Sequence, residues 1–130
     1  MLALNKIHHI AIICSDYQKS KHFYTEILGL KILQEVYREE RDSYKLDLAL
    51  QNNYCIELFS FPNPPQRVSR PEASGLRHLA FAVSDIEKEI EKLKQYQINA
   101  EPIRVDEYTQ RKFTFFEDPD GLPIELYEEE

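Results

Sequence analysis

Phe115-Phe116-Glu117-Asp118-Pro119-Asp120-Gly121-Leu122-Pro123-Ile124-Glu125-Leu126-Tyr127 reads as strand, tight turn, strand. Proline pre-sets its own backbone angle, and glycine takes a positive φ at no steric cost, so Asp118-Pro119-Asp120-Gly121 is strong turn chemistry. Glu125 is the fourth residue after Gly121 and stands between Ile124 and Leu126. A carboxylate among apolar neighbours on a short strand is costly to bury without a partner. Glu125 therefore calls for a compensating group.

The same arrangement occurs earlier in the chain. Cys55-Ile56-Glu57-Leu58-Phe59 aligns with Pro123-Ile124-Glu125-Leu126-Tyr127, and Glu57 is the fourth residue after Asn53. Further upstream, His9-Ile10-Ala11-Ile12-Ile13-Cys14-Ser15-Asp16 aligns with His78-Leu79-Ala80-Phe81-Ala82-Val83-Ser84-Asp85. Histidine, alanine, serine and aspartate coincide. The histidine-to-glutamate spacing is 48 residues in the first copy and 47 in the second.

Local signals fill in the rest of each copy. The β-branched run from Ile7 and the run from Leu76 read as opening strands. Ser15 with Gln18, and Ser84 with Glu87, fit capping boxes. Helices are expected from there to about Leu28 and to about Tyr96. Tyr17, Tyr24, Ile27 and Leu28 recur at helical spacing in the first, as do Ile86, Ile90 and Leu93 in the second. Gly29 is a suitable helix stop. Strands are expected near 31–37, 44–50 and 54–61, with Asn52-Asn53 as a hairpin turn because asparagine tolerates left-handed geometry. The second copy repeats this with strands near 99–105, 112–117 and 122–127. The expectation is an α+β fold in which 1–130 is one domain: module one at about 5–61, a linker at about 62–75, and module two at about 76–128. Each module reads β-α-β-β-β.

The linker differs in composition. Pro62, Pro64, Pro65 and Pro71 are four of the seven prolines in the chain. A regular helix or central strand cannot accommodate them. Arg67 and Arg70 lie in this stiffened stretch and are candidate substrate contacts, as is Arg38, because arginine offers a bidentate fork to carboxylates and phosphates.

With 42% hydrophobic and 30% charged residues, the composition is that of a folded globular chain rather than a disordered one. The net charge of −7 and the absence of a basic cluster argue against nucleic-acid or anionic-membrane partners. Two cysteines, Cys14 and Cys55, sit in apolar runs and read as small buried hydrophobes in a reducing, cytoplasmic setting. No secretory leader or membrane span is apparent.

A lone histidine or glutamate on a strand is ordinarily structural. Two of each, at equivalent positions of a repeat, form a constellation. Period 2 puts His9 and Ala11 on one strand face and His78, Ala80 and Ala82 on another, with small alanines leaving room beside each imidazole. By the same alternation His8 points away from His9 and reads as structural. Two imidazoles and two carboxylates suit a divalent cation with open positions, and such a cation also compensates the buried charge. His9, Glu57, His78 and Glu125 are the candidate metal ligands.

These residues, with Phe23-Tyr24-Thr25-Glu26-Ile27-Leu28-Gly29-Leu30 and Leu76-Arg77-His78-Leu79-Ala80-Phe81, resemble the vicinal oxygen chelate superfamily, typified by glyoxalase I. Glu57-Leu58-Phe59-Ser60-Phe61-Pro62 and Ser69-Arg70-Pro71-Glu72-Ala73 resemble its bacterial YaeR-like subgroup. The resemblance implies paired βαβββ modules forming a cupped mixed sheet (the glyoxalase/bleomycin resistance/dioxygenase fold). It implies a His-Glu-His-Glu metal set that falls on His9, Glu57, His78 and Glu125. Zinc or nickel leads, with cobalt, manganese or iron as alternatives. A homodimer acting on a small-molecule substrate is the implied assembly, with the site either within one chain or shared between two.

The chemistry that the resemblance implies is that of a lyase or isomerase. A divalent ion acidifies a C–H beside a carbonyl and stabilises an enediolate, while a glutamate removes and returns the proton. Glu125 is the first choice for that base and Glu57 its partner. A hemithioacetal of the lactoylglutathione lyase type is the expected substrate class. A metal-dependent epimerase is an alternative. A ring-cleaving dioxygenase is a second, although ferrous-iron oxygenases prefer two histidines and one carboxylate. A small-molecule-binding resistance protein is a third, and it would have no use for four ligands.

Overall fold

The computed structural model describes residues 1–130. The chain divides into two compact units, Met1–Pro65 and Gln66–Glu130. The first contains strand β1 (Ile10–Cys14), helix α1 (Tyr17–His22) running on as a π-helical turn (Phe23–Ile27), and strands β2 (Lys31–Arg38), β3 (Ser43–Leu50) and β4 (Asn53–Ser60). The second contains β5 (Leu79–Val83), α2 (Ile86–Gln95), β6 (Arg104–Val105), β7 (Lys112–Glu117) and β8 (Pro123–Glu128).

Each unit has one four-stranded mixed sheet, ordered β1-β4-β3-β2 in the first and β5-β8-β7-β6 in the second. The topology repeats as the sequence does. The opening strand runs parallel to the last strand, and the remaining pairs are antiparallel.

Strand alternation separates core from site. Leu46, Leu48, Ile56 and Leu58 are buried in the first unit, and Ile124, Leu126, Ile86 and Leu93 in the second. Glu57 and Glu125 fall between buried residues on β4 and β8, so period 2 turns them to the opposite sheet face. That resolves how a carboxylate sits between isoleucine and leucine.

Several local expectations shift. The opening strands are shorter, beginning at Ile10 and Leu79. His8 and His9 thus precede β1, and strand alternation does not set their directions. Asp16 and Asp85, rather than the serines before them, cap the helices, accepting from Lys19 N at 3.2 Å and Lys88 N at 3.1 Å. An aspartate there serves as well as serine and adds negative charge at a helix N-terminus. The β3–β4 turn is Gln51-Asn52, and Gln51 holds the positive φ of 57°. Strand β6 contracts to two residues. Pro102 has no N–H to donate, and the chain meets β7 irregularly there, with Glu101 N donating to Phe115 O at 2.9 Å. No helix is long and apolar enough to cross a membrane.

Candidate metal centre

In each unit the parallel strand pair brings a histidine to a glutamate. Ala11 is the register partner of Glu57 and Ala80 that of Glu125. A single methyl beside each glutamate leaves its carboxylate uncovered, and the histidine two residues before each alanine turns toward it. His78 Nε2 lies 2.9 Å from Glu125 Oε2, and His9 Nε2 lies 3.7 Å from Glu57 Oε1. Side-chain exposure is 13% for Glu125 and 16% for Glu57, so both carboxylates are largely withdrawn from water and need compensation.

The two pairs have different surroundings. Around Glu57 the structure builds a polar network. Lys45 Nζ donates to Asp47 at 2.8 Å and stands 3.4 Å from Glu57 Oε2. The Tyr54 hydroxyl donates to Asp47 Oδ1 at 3.0 Å and reaches Glu57 Oε2 at 3.4 Å. Hydrogen bonding to Asp47 is the main reason the Lys45 pKa is raised; burial is the main reason the Tyr54 hydroxyl is. His9 Nδ1 meets His8 Nδ1 at 2.8 Å, so His8 turns toward its neighbour rather than away.

Around Glu125 the neighbours are aromatic. Phe115 is its cross-strand partner and meets the His78 ring edge-on, with centroids 5.1 Å apart. Phe115 occupies the register position that Asp47 takes opposite Glu57, and Phe113 that of Lys45 opposite Phe59. His78 Nδ1 is buried with no hydrogen-bond partner.

Each pair by itself has the donor types and spacing of part of a divalent ion's shell. Nitrogen and oxygen ligands at about 2.0–2.2 Å from one ion lie roughly 3–3.5 Å from each other. The His78–Glu125 pair stands at about that separation and the His9–Glu57 pair slightly wider. His78 meets Glu125 through Nε2, the nitrogen on the open side of the ring, while its buried Nδ1 takes no part in that contact. At His9, the contact between Nδ1 and His8 is the kind that orients a ligating ring.

The candidate substrate arginines lie elsewhere. Arg38 stacks over Phe59 and Phe61 at 4.7 and 5.6 Å and donates to Ser43 Oγ, while its Nε is buried without a partner. Arg67 donates to Ser69 Oγ and to the carbonyls of Leu76 and Arg77, each at 2.9 Å. Arg70 precedes a cis proline, Pro71, and lines a cavity in the second unit. Lys45, Asp47, Tyr54 and Arg104 were not among the sequence candidates, and His8 had been read as structural. Tyr54 was open to discovery, since it sits three residues before Glu57 on the same hairpin.

Fold, repeat and paired donors define a family. Residues 6–126 match the Glyoxalase/Bleomycin resistance protein/Dioxygenase superfamily model, and the chain belongs to that superfamily. It is 62% identical to YaeR of Escherichia coli (strain K12), covering 99% of this chain and 100% of that one. It is 61% identical to YwkD of Bacillus subtilis (strain 168), covering 98% and 100%. Among solved structures, the glyoxalase family protein from Enterococcus faecalis superposes with a TM-score of 0.87 at 51% identity, covering 94% of this chain and 96% of that one. More distant similarity reaches the lactoylglutathione lyase of Escherichia coli O157:H7, at 29% identity over 95% of this chain and 93% of that one. The metallothiol transferase FosB of Staphylococcus saprophyticus stands at 28% over 95% and 77%.

Proposed function

We propose that the chain is a divalent-metal-dependent enzyme of glyoxalase I type, a lyase or isomerase acting on a small carbonyl or hemithioacetal-type substrate. The observation that carries this reading is the repeated histidine–glutamate pair, placed at the same point of the same sheet topology in both units. The similarity to lactoylglutathione lyase supports it. His9, Glu57, His78 and Glu125 would hold the ion, the two pairs coming from one chain or from two, with zinc or nickel favoured. When bound, the ion supplies Lewis acidity that loosens a C–H beside a carbonyl and offsets the developing negative charge. The chain works as a homodimer in the cytoplasm.

Glu125 is the group that takes the proton and returns it. Glu57 is restrained by Lys45 and Tyr54, whereas Glu125 has only His78 as a polar neighbour. A carboxylate with fewer competing donors is freer to accept a proton at its oxygen. Glu57, held by the Lys45 ammonium and the Tyr54 hydroxyl, acts as a ligand. Phe115 stands across the strand pair from Glu125 and Phe113 across from Tyr127, so apolar rings take the places that Asp47 and Lys45 hold in the first unit.

Metal analysis of the purified protein, with turnover of the methylglyoxal–thiol hemithioacetal under several metals, tests the reading. Bound metal and metal-dependent turnover are expected. Glu125→Gln should keep measurable metal and lose turnover; normal turnover with metal retained would remove Glu125 as the base. A chain that carries no metal, and whose melting is indifferent to chelator, would instead be a small-molecule-binding protein.

A further inference from the structure

A cavity of about 670 Å³ lies within the second unit, between the strap of residues 67–77 and the part of the sheet formed by Phe115, Phe116 and Pro123. Its size is that of a small-molecule site. Its walls carry four arginines, Arg67, Arg70, Arg77 and Arg104, against three glutamates, Glu72, Glu101 and Glu117. In a chain of net charge −7 this is a locally basic lining.

The four arginines are not equivalent. Arg67 uses its Nε and one terminal nitrogen on Ser69, Leu76 and Arg77, so it pins the strap and fixes the mouth of the cavity. Arg104 pairs with Glu101 at 3.1 Å and stacks over Phe113 and Phe115 at 4.9 and 5.7 Å. Arg77 pairs with Glu72. Arg70 has no hydrogen-bond or ion-pair partner in the chain. An unpaired guanidinium on the wall of a cavity, in an acidic protein, offers its fork to an anion from outside.

We propose that this cavity binds a small organic oxyanion, a carboxylate or phosphate monoester with an apolar body, anchored by Arg70 and by Arg77 once it releases Glu72. The apolar body has Phe115, Ile98 and Val68 to pack against. Phe115 is also the ring against which His78 rests and the register partner of Glu125, so the cavity shares a wall with that pair. As a ligand site the cavity stands alone; as the substrate site it rests on the proposed role of His78 and Glu125.

Isothermal titration calorimetry of the full chain with phenyl phosphate and phenylacetate tests the proposal. Saturable binding of at least one probe is expected, and the tighter of the two identifies phosphoryl or carboxylate as the preferred group. Arg70→Ala should weaken it roughly tenfold or more, the scale of one charge-assisted hydrogen-bonded pair. Arg70→Lys, which keeps charge but loses the fork, should fall between. Glu72→Gln should tighten binding by releasing Arg77. Arg41→Ala, at an exposed site in the first unit, should bind as wild type. His9→Ala removes a proposed metal ligand in the first unit, outside the cavity lining, so probe binding should survive it, and binding lost there would place the anion on the metal and overturn the proposal. Failure of both probes to bind, or equal affinity in Arg70→Ala and wild type, overturns the proposal.

Discussion

The Tyr54 ring lies nearly parallel to the His9 imidazole, with centroids 5.2 Å apart and 13° between the planes. Its hydroxyl meanwhile joins Asp47 to Glu57. One side chain therefore orients both polar groups of the first pair, the imidazole by its face and the carboxylate by its edge. Tyr54→Phe keeps the stack and loses the bridge; Tyr54→Ala loses both. Metal titration should show weaker binding in both variants, larger in Tyr54→Ala and on the order of 10–100-fold there. Equal affinities in all three proteins would reduce Tyr54 to packing.

The turn before β8 depends on Asp118, which is buried and whose Oδ1 accepts from Asp120 N and Leu122 N, both at 2.9 Å. Asp118→Ala strands two backbone donors and should cost about 1–3 kcal/mol in urea unfolding. Asp118→Asn keeps an acceptor and should recover most of that loss. Gly121, at a φ of +83°, completes the turn.

Leu58 is fully buried on the core face of β4, next to the outward-facing Glu57. Leu58→Ala should lower stability by about 2–5 kcal/mol through lost burial and a residual cavity. Leu33→Ala, at a 51% exposed position, should change stability by no more than about 0.5 kcal/mol. Urea midpoints of the two variants give the contrast.

Glu35 accepts from Lys21 Nζ at 2.7 Å and from the Tyr17 hydroxyl. Chiefly through Lys21, its carboxyl titrates below the usual range. The stability this contributes is fully present above the unfolded glutamate value and is lost as pH falls through the depressed folded value. The melting temperatures of wild type and Glu35→Gln should therefore differ most near neutrality and converge from about pH 5 to pH 3. A constant difference across that window would place the effect outside this ion pair.

The parts of the molecule legible in the sequence were those carried by local chemistry or repetition. The Asp118-Pro119-Asp120-Gly121 turn, both helices and the repeated β-α-β-β-β element order follow from turn residues, periodicity and internal matching. What escaped depended on register. Asp47 and Glu57 are ten positions apart and become partners only because β3 and β4 pair with that offset. Lys45 reaches Glu57 for the same reason, and nothing in its neighbourhood announces it. Asn52-Asn53 was the better local candidate for left-handed backbone, yet the hairpin closes through Gln51, where pairing of Leu50 with Asn53 leaves two residues for the turn. His8 was misdirected by extending strand alternation past the end of β1.

Every strand ladder closes inside its own unit, on one side or the other of the peptide bond joining Pro65 and Gln66. A gene broken there would encode two polypeptides, each keeping all of its strand partners and one histidine–glutamate clip. The fold is in this sense divisible without a remainder. Fission, fusion or exchange of halves with a relative would conserve donor chemistry by default, while the strap of residues 67–77 would travel only with the second half.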